Sequence, residues 1–228
     1  AADVSATSEE TNFPASNLAN SSTAFAWLAT STAQQDIDIT TSGIIDYIGI
    51  ARHNLAPPAQ LRIQALNGGV YSTIFDWQTI ASDDQVLLYF LSELEPSGLR
   101  ISIKNNAAAP SIGAIYAGQS LELQRNVYVG HTPITYGRDV NTVGGYSENG
   151  QYLGELVRRE GRSTQLTLQN LTPEWYRENL DAFISQRPRI PAFYAWRPGD
   201  YAAEVGYVWL TGSPRMSNQR SNGMVEIS

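Results

Sequence analysis

The chain has 228 residues, 42% of them apolar and only 16% charged, with 18 Gly, 11 Pro, 12 Tyr and 5 Trp, the composition of a turn-rich, aromatic β protein long enough for one large domain or two modest ones. Its net charge of −7 excludes a general nucleic-acid binder, which needs a positive surface to displace counterions. The absence of cysteine excludes thiol catalysis, disulfide frameworks and cysteine-ligated zinc. No apolar run approaches the roughly 18 residues of a membrane span, so no membrane insertion is expected, and the opening AADVSATSEE has neither the basic start nor the apolar core of a secretory signal.

In chain order, QQDIDI (34–39) alternates with Ile37 and Ile39 on one face, and IIDYIGIA (44–51) is apolar on both faces, as a central strand is. That run ends in Arg52-His53-Asn54 and Pro57-Pro58. Asparagine tolerates turn geometry and proline removes a ladder donor, so a corner is expected there. QLRIQAL (60–66) alternates with Leu61, Ile63 and Ala65 inward, and Asn67-Gly68-Gly69 supplies the positive-φ residues of a hairpin turn. VLLYFL (86–91) and LRISIK (99–104) read as strands, KNNAAAPSIGA (104–114) as a loop, and SLELQ (120–124) as a closing strand. Short strands separated by turn signals predict an all-β sandwich over residues 1–124.

Residues 125–228 predict a second β domain of sandwich type carrying one helix. NVYVG (126–130), YLGELVRR (152–159) and TQLTLQ (164–169) read as strands. The glycine-rich NTVGGYSENGQ (141–151) lacks the Lys-Ser/Thr ending of a phosphate-binding loop and reads as a mobile loop. The helix is expected over 172–187: Thr172 caps it, Pro173 takes its first position and Glu174 suits its positive end. Leu171 and Tyr176 can staple its start; Tyr176, Leu180, Phe183 and Ile184 follow the 3.6-residue period, and Pro188 stops it. Strands resume with AFYAW (192–196), VGYVWL (205–210) and GMVEI (223–227).

Charge is divided unevenly. Residues 1–124 hold 4 Lys+Arg against 12 Asp+Glu; residues 125–228 hold 11 against 10, and all 11 are arginine. Arginine is the cation that tolerates interfaces, through its planar fork and its stacking on aromatics. The second half is therefore expected to make contacts and the first half to face water.

Catalytic signals are thin. His53 and His131 are the only imidazoles; neither lies near a strand–turn–helix of the G-x-S-x-G type, and two isolated histidines are too few for a metal site. Ser8-Glu9-Glu10 and Ser82-Asp83-Asp84 lack EF-hand spacing and read as solvated acidic turns, although a loop calcium ion is left open. The pairs Glu155 with Glu160 and Glu93 with Glu95 are close only along the chain. The chain is expected to be no enzyme and to use no cofactor. Trp27, Trp77, Trp196 and Trp209 stand at strand ends or beside loops. Exposed aromatic faces stack on sugar rings while Asn, Asp and Arg fix the hydroxyls. Most of these tryptophans are expected in a core or interface, with Trp27 and Trp77 the candidates for touching a ligand.

The stretch TNFPASNLAN…TAFAWLATSTAQQDIDI…IIDYIGIARHNL…AQLRIQAL resembles the discoidin/galactose-binding-like jelly roll. The markers are Pro14 to Leu18, Trp27, the Ile37-x-Ile39 strand, and a central strand ending in His53-Asn54-Leu55. The variant is similar to the one in tail-tip or baseplate proteins of long-tailed bacteriophages, and PAFYAWRPGDYAAEVGYVWL with SNQRSNGMVEIS looks like the second half of the same proteins. The resemblance implies a structural protein of the virion tail, forming a symmetric ring with copies of itself and other tail proteins. Host surface glycans would meet Trp27, Arg52, His53, Asn54 and Trp77. Arg189, Tyr194, Trp196, Arg197, Tyr207 and Trp209 would serve the assembly interface. The alternative is a carbohydrate-binding module of a secreted bacterial protein, and a third reading is a glycoside hydrolase.

Overall fold

The computed structural model describes residues 3–127, 130–186, 190–212, 214–219 and 223–227. The chain divides into two compact units, Ala1–Ser120 and Leu121–Ser228.

The first unit is a jelly-roll β-sandwich. Its strands are β1 (Val4–Ala6), β2 (Trp27–Leu28), β3 (Gln35–Thr40), β4 (Ile45–His53), β5 (Gln60–Asn67), β6 (Val70–Thr79), β7 (Leu87–Leu94), β8 (Gly98–Lys104) and β9 (Ser111–Gly118). One sheet runs β1-β3-β8-β5-β6 and the other β2-β9-β4-β7, and every pairing within both is antiparallel. The alternation read from the sequence decides which side faces in. Ile37, Ile39, Leu61, Ile63, Ala65, Leu99, Ile101 and Ile103 face the four-stranded sheet and meet Ile48, Ile50 and Ile112 in one buried cluster. Each such side chain contributes about 1.5–3 kcal/mol by leaving water, which makes this cluster the main source of the unit's stability.

The expected loop over 104–114 is shorter in the structure, because β9 begins at Ser111 and pairs with β4 along its length. Gly113 lies opposite Arg52, whose φ is +58°, and a Cβ at Gly113 would stand 3.0 Å from the Arg52 Cβ. The closing strand expected at 120–124 is absent. Leu121 and Leu123 instead pack into the core of the second unit, so the boundary falls before them.

Among the described residues the second unit takes the form of three small antiparallel sheets and a helix. Its strands are β10 (Arg138–Tyr146), β11 (Tyr152–Arg162), β12 (Leu168–Leu171), β13 (Ala192–Ala195), β14 (Val205–Val208), β15 (Met216–Gln219) and β16 (Met224–Ile227), arranged as β10-β11, β12-β16-β15 and β13-β14. The helix occupies residues 173–186, with a wider π-helical turn over Tyr176–Leu180. Thr172 caps it as expected: its Oγ1 accepts the Trp175 N–H at 3.4 Å. Gln124 fixes the cap, donating to Thr172 Oγ1 at 3.0 Å and accepting the Thr172 N–H at 2.9 Å. Leu180, Phe183 and Ile184 then pack with Leu168, Leu171, Val225 and Ile227.

The mobile loop expected over 141–151 is largely a strand. Residues 141–146 belong to β10, which pairs with β11 across a turn held by the Ser147 N–H donating to Gln151 O at 2.8 Å. At the root of this ribbon the Ser163 N–H donates to Gly137 O at 2.7 Å, and a Cβ on residue 137 would come within 1.9 Å of Ser163 O. Only glycine fits there. We expect Gly137→Ala to displace the root of the ribbon, read as faster amide exchange over 138–162 with an unchanged signal from the sandwich.

Candidate functional site

The corner at His53-Asn54 is built as a structural staple. His53 is 5% exposed. Its Nε2–H donates to Gln85 O at 2.6 Å while Nδ1 accepts the Leu55 N–H at 3.2 Å, so both ring nitrogens are committed. The Asn54 amide donates to Ala109 O at 2.8 Å, and its oxygen accepts from the Ser111 N–H at 2.8 Å and from Asn106 at 3.4 Å. The corner therefore ties β4 to the loop before β9. Arg52 stays on the surface, paired with Asp84 at 2.6 Å. Trp27 is 0% exposed, and its Nε1–H donates to Ser8 O at 3.0 Å. Trp27 and His53 are thus core residues and not ligand contacts, because neither offers a face or a free nitrogen to anything outside.

Burial holds the His53 pKa below its ordinary 6.5, against smaller opposing effects from the Gln85 carbonyl and the nearby Asp84 and Asp83. The unfolded chain then binds a proton that the native chain refuses, so stability contributed by this site falls as pH drops below 6.5 and levels off once His53 itself protonates in the fold. We expect the melting temperature to decline as the pH falls from about 7 to about 5, and the slope to shrink in His53→Gln.

Trp77 is brought to a different place, the outward face of the five-stranded sheet. β5 and β8 turn Arg62 and Lys104 to this face. The guanidinium of Arg62 lies 4.7 Å, and the ammonium of Lys104 4.0 Å, from the Trp77 ring centroid. Ser102, the cross-strand partner of Arg62, lies on the same outward side yet is 0% exposed. Ser102 Oγ and Arg62 Nε are both buried without a hydrogen-bond partner. Farther along the face Arg100 makes a bidentate pair with Asp38, both bonds 2.7 Å, and lies 4.1 Å over the Tyr71 ring. Hydrogen bonding from Arg100 holds the Asp38 carboxyl below its ordinary range, against the effect of burial. Beyond Asp38, at the end of the sandwich away from Trp77, an open groove of about 530 Å³ is lined by Leu18, Ile45, Ile115, Tyr47, Tyr116, Thr40 and Asp3.

In the second unit, the Tyr194 hydroxyl donates to His131 Nε2 at 3.0 Å, and His131 Nδ1 faces Thr164 Oγ1 at 3.2 Å and Gln165 O at 3.4 Å. Burial raises the Tyr194 pKa. Trp196 stacks on Tyr201 at 5.6 Å with Arg197 alongside, and Arg197 bonds Asp200 at 2.5 Å. Tyr207 packs on Phe193 at 5.0 Å. Tyr194 and Tyr207 are thereby used within the unit, while Trp209 is exposed. Arg189 lies outside the described residues.

The surface that sequence reasoning missed is the β10-β11 ribbon. Register places Val143 opposite Leu156 on one side, and Thr142 opposite Val157 and Tyr146 opposite Tyr152 on the other. Both sides are apolar and both are open to water: Tyr146 is 71%, Leu153 68% and Leu156 67% exposed, with Val140, Val143, Tyr152 and Val157 exposed as well. Glu155 and Glu160 project from this same exposed ribbon, not from facing walls of a cleft. Among the described residues no group of three His, Asp or Glu side chains is placed to hold a metal ion.

No protein-family model and no curated protein matches the chain. Solved structures similar to about half of it include larger proteins, such as a Ruminococcus gnavus GH29 fucosidase of which the match covers 26%, and carbohydrate-binding modules. One is the family 32 module of C. perfringens NanJ in complex with galactose, 19% identical, covering 51% of this chain and 92% of that one at a TM-score of 0.46. Another is the Clostridium perfringens module CpGH89CBM32-5 in complex with GalNAc-β-1,3-galactose, 10% identical, covering 52% and 95% at 0.46. A third is chitosan-binding module 1 from a chitosanase/glucanase of Paenibacillus sp. IK-5, 14% identical, covering 50% and 92% at 0.44. At this level of identity function has to be read from the surfaces of this chain itself.

Proposed function

We propose that the chain is a non-catalytic binding and assembly protein, a structural component of a bacteriophage tail tip in the virion, where copies of it form a ring with other tail proteins. The tail-tip assignment rests on the sequence resemblance, and the assembly part of the reading is carried by the β10-β11 ribbon. A two-stranded ribbon is marginal by itself in water, and one with apolar side chains on both faces and two unpaired edges calls for a partner.

Charge favours a second copy as that partner. Residues 138–162 carry four arginines and four acids, whereas residues 1–120 carry 4 Lys+Arg against 11 Asp+Glu. Arg138 and Arg162 are direct cross-strand partners, and like charges so placed repel. Among the described residues only Arg159 of the ribbon's four arginines has an ion pair, with Asp139 at 2.6 Å. The ribbon is neutral overall, and it is the Arg138–Arg162 pair at its root that the acidic sandwich of a neighbouring copy would compensate. Such a contact joins two different surfaces, the heterologous geometry that closes into rings. Light scattering on the purified full chain tests this: a mass of several protomers is expected, falling as salt rises, and a strict monomer across the micromolar range contradicts it.

A second reading, a carbohydrate-binding module of a secreted bacterial protein, is favoured by the Trp77 platform. A half-buried indole held on an exposed sheet face by two cations is the kind of surface on which sugar rings stack. The two readings use different surfaces, and a tail protein that touches host glycans would use both.

A further inference from the structure

We infer that the Trp77 face takes an acidic glycan, a sugar bearing a carboxylate or sulfate, with Arg62 and Lys104 as its counter-charges. This rests on the carbohydrate-binding reading and names the ligand class.

The first unit has only four cations, and three of them, Arg62, Arg100 and Lys104, share the outward face of one sheet. The fourth, Arg52, is paired with Asp84, and Arg100 is paired with Asp38. Arg62 and Lys104 have no ion pair among the described residues, although the unit holds 11 carboxylates. The neighbour they share is one indole ring, 4.7 and 4.0 Å away. A cation–π contact is weaker than a charge-assisted hydrogen bond and leaves the positive charge available to an anion.

The polar inventory around the ring is one-sided. Arginine and lysine carry donors and no acceptor. Arg62 Nε and Ser102 Oγ, on directly paired residues of β5 and β8, are buried beneath the face and out of a ligand's reach, which leaves the outward donors of Arg62 and Lys104. A ligand that satisfies this set must bring acceptors, and negative charge serves best. Asp36 limits the site: it pairs with Ser102 across β3 and β8, and its carboxylate faces Arg100 at 3.9 Å. An anion is therefore held on the β5-β6 side, over Trp77. The acidic remainder of the unit repels an extended polyanion beyond the patch, which selects a short ligand with one or a few charges and an apolar ring face for the indole.

Calorimetric titration of the full chain with trigalacturonate, with galactotriose of the same length, and with sodium sulfate tests the inference. Trigalacturonate is expected to bind at least tenfold more tightly than galactotriose. Its affinity should fall tenfold or more in Arg62→Gln/Lys104→Gln and in Trp77→Ala, both with unchanged melting, and should weaken as salt rises. Equal affinity for the two sugars overturns the acidic preference and leaves the carbohydrate reading standing. No binding of any sugar overturns both. Sulfate binding as tightly as the sugar shows a simple anion site and overturns the glycan assignment. Loss of sugar binding in Tyr116→Ala, with Arg62→Gln/Lys104→Gln unaffected, moves the site to the groove and overturns the inference.

Discussion

Leu153→Asp with Leu156→Asp is expected to leave the chain folded and monomeric at concentrations where the unmodified chain assembles. Both leucines are open to water in the isolated chain, so the substitutions change monomer stability by about 0.5 kcal/mol or less each. In the assembly they lie beneath the partner. An unpaired carboxylate buried there costs several kcal/mol, and about 1.4 kcal/mol is a tenfold change in dissociation constant. The pair should weaken association by at least about a hundredfold. Sedimentation velocity over a concentration series reads this directly, and circular dichroism checks that the fold survives. Arg138→Glu with Arg162→Glu should act in the same direction with a steeper dependence on salt. An assembly that tolerates both double variants does not use the ribbon.

Trp27→Ala is the substitution expected to cost the first unit most. The ring is wholly enclosed within a cluster that includes Leu18, Ile37 and Ile112, and removing a buried tryptophan costs about 3–5 kcal/mol. The Ser8 carbonyl also loses the indole N–H, which ties the N-terminal segment to the sandwich. Urea unfolding of the full chain should show the first transition moved to lower denaturant by that amount, with Trp27→Phe intermediate. Asn54→Ala should follow the same pattern more mildly, at about 1–3 kcal/mol, because the Ser111 N–H and the Ala109 carbonyl lose their partner. A normally stable Trp27→Ala chain that had lost glycan binding would return Trp27 to the ligand site.

Strands with strict alternation are legible from the residue order alone. β3, β5 and β8 show their inward isoleucines and leucines at every second residue, and the helix shows both its period and its cap. β9 is harder to see because SIGAIYAG is rich in small residues, as its close approach to Arg52 requires at Gly113. β10 is obscured for a related reason: Val143-Gly144-Gly145 lowers strand propensity, and only the pairing with β11 reveals a ribbon. SLELQ misleads in the other sense, since its alternating leucines pack without joining a ladder. The corner at His53-Asn54 is legible as a corner. Its hydrogen bonds to residues 85, 106, 109 and 111 depend on contacts no local pattern displays. Trp77 stands out for its indole, but its partners Arg62 and Lys104 are 15 and 27 residues away along the chain and are set by strand register alone. His131 and Tyr194, 63 residues apart, meet in the same unforeseen way.

Amide hydrogen exchange over residues 138–162 of the full chain, followed as protein concentration is raised, shows whether the ribbon is completed by another copy. Protection of Val143, Leu153 and Leu156 is expected to grow with concentration and to disappear in Leu153→Asp/Leu156→Asp. Exchange that stays fast at every concentration, in a chain whose measured mass remains that of one protomer, contradicts completion by another copy.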